Sequence, residues 1–232
     1  MPQSLDIGVK RILGFDSVVA YLDDKGHVCD FGSRKSVAVF DDVSISGQGT
    51  VYTYKRNRGV SLFVSVDALF SDDPTPITYP AFNPAHPASI HSMESRAFIH
   101  TAGPMHQLFE IVSNERGKPC EPYLALIEDL EGMEFSIVPG PCNRLGIVTT
   151  AGSAYILERR SQEVELIDAP GDVELLGLGS DFEVAVVDKK VYVRGNNEFG
   201  QLGRADAKEF TELLAGDVLD VKCSRWSTII TI

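Results

Sequence analysis

Residues 191–203, Val-Tyr-Val-Arg-Gly-Asn-Asn-Glu-Phe-Gly-Gln-Leu-Gly, constrain the fold more than any other part of the chain. Val191, Tyr192 and Val193 suit a pleated, half-buried surface, Gly195 stops the strand, and Gly200 and Gly203 allow backbone angles closed to other residues. Glycines at these positions shape the backbone and do not cradle phosphate. The preceding residues 172–188, Asp-Val-Glu-Leu-Leu-Gly-Leu-Gly-Ser-Asp-Phe-Glu-Val-Ala-Val-Val-Asp, supply two more apolar strands. A small sheet of this kind cannot bury both its faces alone, so it needs similar neighbours on either side.

Residues 172–203 together resemble the regulator-of-chromosome-condensation repeat: V-x-x-(I/V)-x-x-G, an alternating apolar strand, then V-Y-x-x-G-x-N-x-x-G-Q-L-G. The resemblance implies an all-β chain folded as a β-propeller. A second copy opens the chain, with Val9 and Ile12 where Val173 and Leu176 stand, and Val28 and Gly32 where Val191 and Gly195 stand. At the far end, residues 217–232 repeat the first two strands, with Trp226-Ser-Thr228 where family members carry an aromatic or histidine followed by threonine. Trp226, the only tryptophan, is expected to pack between blades.

Between these copies, hydrophobic alternation marks three further units without the glycine-rich loop. The first runs from Val37–Phe40 through Val43–Ile45 and Thr50–Tyr54 to Val60–Val66. The second includes Ala88–Ile90, Ala97–Thr101 and Gln107–Val112. The third includes Tyr123–Ile127, Met133–Val138, Leu145–Thr149 and Ala154–Leu157. Equivalent strands recur roughly every 35 to 47 residues, near the spacing of propeller blades. The count is about six blades, with five or seven as alternatives, in a single domain over residues 1–232. The segment Ser4–Gly8 is expected to close the ring by completing the last sheet, which removes its exposed edge.

A net charge of −12 argues against a broad phosphate-binding surface, because nucleic-acid affinity rests on clustered Lys and Arg. No apolar run is long enough to span a membrane, and the first residues carry no basic cluster followed by an apolar core. Cys29, Cys120, Cys142 and Cys223 are scattered without a C-x-x-C pair. The expectation is a cytoplasmic or nuclear chain with reduced thiols.

Catalytic signatures are missing: there is no G-x-S-x-G elbow, H-E-x-x-H pair or G-x-x-x-x-G-K-(S/T) loop. His91, His100 and His106, with Glu94 close by, form the one cluster of candidate ligands or bases. Strand and turn histidines more often only hydrogen-bond, so no catalytic, cofactor-binding or metal-binding residue is assigned.

Five of the chain's 12 prolines fall between positions 74 and 87, in a stretch read as an extended connection that resists ladder pairing. Long connections are disproportionately functional, and Phe70, Tyr79 and Phe82 are its candidate aromatic anchors for a protein partner. The resemblance implies a non-catalytic interaction scaffold or regulatory subunit. Within the family, the small fungal alpha-tubulin-suppressor type is most similar in size and motif. That type partners a small zinc-containing electron carrier serving diphthamide synthesis and Elongator-dependent modification of tRNA wobble uridines. The alternative the family offers is guanine-nucleotide exchange on a Ran-like small GTPase.

Overall fold

The computed structural model describes residues 8–14, 17–32, 34–71, 73–79, 87–103, 106–115, 118–158, 161, 163–205 and 207–232. They fall into two compact units, Met1–Leu126 and Ile127–Ile232.

The first unit holds three antiparallel four-stranded sheets. One comprises β1 (Val9–Gly14), β2 (Val18–Asp23), β3 (His27–Asp30) and β4 (Lys35–Val39). The next comprises β5 (Asp42–Ile45), β6 (Val51–Lys55), β7 (Gly59–Phe63) and, after a one-turn helix α1 (Val66–Leu69), β8 (Ile77–Thr78). The third comprises β9 (Ala88–Ser92), β10 (Ala97–Thr101), β11 (Gln107–Glu115) and β12 (Lys118–Leu126). Each is a meander, with antiparallel strands paired in chain order. Leu13, Ala20, Leu22 and Val28 of the first sheet pack on Val43, Ile45, Val51 and Phe63 of the second. Tyr52, Tyr54, Val60 and Leu62, on the second sheet, meet Ile90, Ala97, Ile99 and Ile111 of the third. Each such aliphatic side chain contributes about 1.5–3 kcal/mol relative to exposure.

A polar staple joins the same three sheets. One Arg11 guanidinium nitrogen donates to both Asp42 carboxylate oxygens, at 3.0 and 2.8 Å, and to the Ile90 carbonyl at 3.0 Å. Asp42 in turn accepts the Ile90 N–H at 2.7 Å. One step along β5 and β9, the Ser44 and Ser92 hydroxyls lie 2.5 Å apart. β1, β5 and β9 are therefore held in register by charge-assisted bonds as well as by packing.

The second unit begins with a 3₁₀ turn (Glu128–Leu130) and continues as β13 (Phe135–Pro139), β14 (Leu145–Thr149), β15 (Ala154–Leu157) and β16 (Glu165–Leu166). Its next sheet is β17 (Leu175–Leu178), β18 (Phe182–Val187), β19 (Lys190–Gly195) and β20 (Ala207–Ala215). The last is a two-stranded sheet of β21 (Asp220–Cys223) and β22 (Thr228–Thr231). β18 is buried along its whole length. Phe182, Val184 and Val186 face β21 and β22, whereas Ala185 and Val187 face the sheet of β13–β16. Burial on both faces explains why this strand reads as a nearly continuous apolar run. The approach of β21 to β17 requires a glycine, since a Cβ on Gly177 would stand 2.6 Å from Cys223 Sγ and 2.8 Å from Val221 Cγ1.

Three expectations change. Val37–Phe40 and Tyr123–Ile127 were expected to start new units; they fall instead in or beside β4 and β12, the fourth strands of the preceding sheets. Alternation locates a strand but does not name its partner, and each of these pairs with the strand just before it in the chain. The proline-rich stretch does enter a ladder, with Ile77 opposite Leu62 and Thr78 opposite Ser61. These two residues are not prolines, and they lie at the sheet edge where one flank of hydrogen bonds suffices. Of the expected closing segment, residues 4–7 lie outside the described residues; the Gly8 carbonyl accepts the Asp24 N–H at 2.8 Å, alongside β1 and β2.

Candidate interaction surface

Residues 195–203 form the loop that the sequence singled out. Gly195 has φ of 121°, and a Cβ there would lie 2.3 Å from the Asp181 carbonyl oxygen. Beyond it, polar side chains hold the loop in one shape. Asn196 Oδ1 accepts the Glu198 N–H at 2.6 Å, Asn197 Oδ1 the Leu202 N–H at 2.6 Å, and Gln201 Oε1 the Phe199 N–H at 2.9 Å. Gly200 and Gly203 take positive φ and close successive turns. Leu202, 1% exposed, anchors the loop in the apolar cluster beneath, and Phe199 is left pointing outward at 59% exposure.

Trp226 meets it there. The turn Ser224–Ser227 is closed by the Ser224 N–H on the Ser227 carbonyl at 2.8 Å and by their hydroxyls at 2.7 Å. It presents Trp226 at 46% exposure, with its ring centroid 4.7 Å from that of Phe199 and the planes inclined by 55°. The expectation of a tryptophan packed between blades is thus corrected: Trp226 is half-open, on the turn between β21 and β22 and not within either strand. Nothing in the alternation signalled Phe199, which sits among glycines and amides; an aromatic displayed within a rigid polar loop was the available clue.

An open depression of about 440 Å³ is lined by Glu183, Arg194, Gly195, Asn196, Ala207 and Lys208, and so shares the start of this loop. Glu183 is 6% exposed, and its two carboxylate oxygens are engaged by Arg144 and by Arg194 Nε, the latter at 2.9 Å. Arg194 also stacks over Phe210 at 4.8 Å, which fixes the plane of its guanidinium.

The anchors expected in the proline-rich segment are dispersed. Phe70 caps α1, lies partly buried against the first core cluster, and carries Arg34 over its ring at 4.9 Å. Arg34 bridges Asp30 and Asp67, tying α1 to the β3–β4 turn. Tyr79 is 2% exposed and belongs to the cluster between the second and third sheets, so its ring serves the core. Phe82 lies outside the described residues.

The histidines do come together. His91 and His100 have ring centroids 6.5 Å apart, and His100 Nε2 is 3.0 Å from His106 Nδ1. Burial first, then Arg11, pushes His91 down to about 4; burial and His106 do the same to His100. Both are held neutral and hydrogen-bonded, His91 to the Ser89 hydroxyl at 3.0 Å. Among the described residues, no group of three or more His, Cys, Asp or Glu is placed to hold a metal ion.

The decisive comparison is with solved structures. Human WBSCR16 superposes with a TM-score of 0.56 at 13% identity, over 81% of this chain and 58% of that one. Prp20p from Saccharomyces cerevisiae, described with its binding properties to Gsp1p and histones, gives 0.57 at 13% identity, over 90% and 64%. The same yeast RCC1 (Prp20) in its complex with Kap60 gives 0.59 at 12% identity, over 90% and 63%. The fold is that of a regulator-of-chromosome-condensation-like β-propeller. The chain spans about three fifths of the length of these structures. No protein-family model and no curated protein matches it.

Proposed function

We propose that residues 1–232 act as a non-catalytic protein-interaction scaffold or regulatory subunit in the cytoplasm or nucleus. The observation that carries this reading is the Phe199–Trp226 pair, two half-exposed aromatic rings in mutual contact on hydrogen-bonded turns. Rigid, exposed aromatics are the side chains that most often dominate protein interfaces, and ordering them on binding costs little entropy. Affinity purification of the chain followed by mass spectrometry tests it. A stoichiometric protein partner is expected, and a chain that remains alone at cellular concentration refutes it.

In its finer form, the partner is a small zinc-binding electron carrier, and the scaffold supports diphthamide synthesis and Elongator-dependent tRNA modification. The loop at 191–203 supports this form through the resemblance to the tubulin-suppressor type. Co-purification with that carrier, lost on its deletion, is the expected result.

A second reading is exchange on a Ran-like small GTPase, which the description of Prp20p with Gsp1p favours. Accelerated release of labelled nucleotide from such a GTPase on addition of the chain would establish it in place of the first.

A further inference from the structure

We propose that the depression at the start of the loop bearing Phe199 is a docking site for an acidic peptide segment that also carries an aromatic or large aliphatic residue. This rests on the interaction-scaffold reading and names the surface and the chemistry that reading leaves open. The charge of the lining is the starting point. Among the described residues that line it, the one acid, Glu183, is already held by Arg144 and Arg194. That leaves Arg194 and Lys208 as the cations at its rim, in a chain whose net charge is −12.

Arg194 lines the depression with Nε on Glu183 and its face over Phe210, which fix its plane, and a guanidinium fork takes a carboxylate in two parallel bonds. Lys208, exposed on β20, adds a second positive charge, and the Asn196 amide lines the same wall. Asn196, on the wall of the depression, and Phe199 are three positions apart, so their backbones lie within about 11 Å of each other. One short extended segment can reach both. The overall negative charge disfavours a long polyanion such as a nucleic acid, whereas a few carboxylates with an apolar neighbour match both parts.

The single tryptophan makes the test direct. The wild-type chain is titrated, following Trp226 emission, with an acetylated hexapeptide of alternating glutamate and phenylalanine. Controls replace each glutamate by glutamine or by lysine. A saturable shift with the acidic peptide alone is expected, with the dissociation constant raised about tenfold or more in Lys208→Glu and in Phe199→Ala. Lys189→Glu, at the opposite end of β19, should bind as wild type, and circular dichroism should show all variants folded. Equal responses to the three peptides, no response, an unchanged constant in Lys208→Glu, or tighter binding of a single-stranded oligonucleotide each overturn the proposal. The two readings separate in cells. A partner complex that persists in the Lys208→Glu, Phe199→Ala double variant removes this surface and leaves the scaffold, whereas a wild-type chain without a partner removes the scaffold itself.

Discussion

Arg144 offers the sharpest test of how the second unit is held together. It is 4% exposed and reaches four acceptors: Glu158 at 3.0 Å, the Gly179 and Phe182 carbonyls at 2.6 and 3.0 Å, and the Glu183 carboxylate. It thereby joins the turn before β14 to the turn between β17 and β18. In Arg144→Ala, two carbonyls lose a charged donor and the buried Glu183 keeps Arg194 alone. Each abandoned buried acceptor costs about 1–3 kcal/mol, and breaking a buried ion pair about 3–5 kcal/mol in total. For a chain of this size the melting temperature should fall by roughly 6–20 °C. Arg144→Lys keeps the charge but not the planar fork, and should recover less than about half of the loss. The exposed pair Lys190–Glu212, with both side chains 44% exposed, is the internal control, and Lys190→Ala should leave the denaturation midpoint nearly unchanged because solvent screens the pair. The comparison is made by urea denaturation, with slopes checked for a common unfolded state. If Arg144→Ala and Lys190→Ala shift the midpoint equally, the inferred role of the buried fork is wrong.

Acidification should destabilise the first unit, because His91 and His100 titrate near 4 when folded and near 6.5 when unfolded. The unfolded chain takes up these protons first, so their contribution is complete above about pH 6.5 and declines as pH falls toward 4. His91, which also faces Arg11 and Asp42, accounts for at most about 3 kcal/mol of that loss. Denaturation midpoints that stay flat across this window in wild type, or the same decline in His91→Phe, would contradict it. Trp226→Ala should cost under about 1 kcal/mol by thermal melting, well short of the roughly 3–5 kcal/mol of a buried aromatic. Cys223, whose thiol is pushed up to about 11 by burial, should resist alkylation at pH 8 until the chain is unfolded, which mass spectrometry of the labelled protein will show. Gly177→Ala drives a methyl group into Cys223 and Val221, and a loss of about 1–3 kcal/mol is expected in urea.

Much of the fold was legible because strand formation is a local matter. The apolar run at 182–187, the Val-Tyr-Val strand at 191–193 and the glycines at 195, 200 and 203 each report φ, ψ and burial through their own side chains or the lack of one. Those signals, with the repeat they compose, determined an all-β meander of small sheets and the family of folds it joins. Pairing was less visible: Val37–Phe40 and Tyr123–Ile127 alternate well enough to begin a sheet, yet they fall in or beside the strands that close the one before.

The candidate surface was scarcely legible at all. Phe199 and Trp226 are 27 positions apart in sequence, as their numbers show, and only the packing of β21 against β17 brings their turns together. Tyr79 and Phe70 looked like exposed anchors because the prolines around them suggested a free connection, but two ladder positions at Ile77 and Thr78 drew that segment onto a sheet and Tyr79 into the core. Exposure, a neutralised carboxylate and a cationic depression arise from chain segments meeting in space, through desolvation and Coulomb terms that no single stretch of residues contains. The order of the strands was written locally; which aromatics and which charges remained open to a partner was decided by tertiary contact.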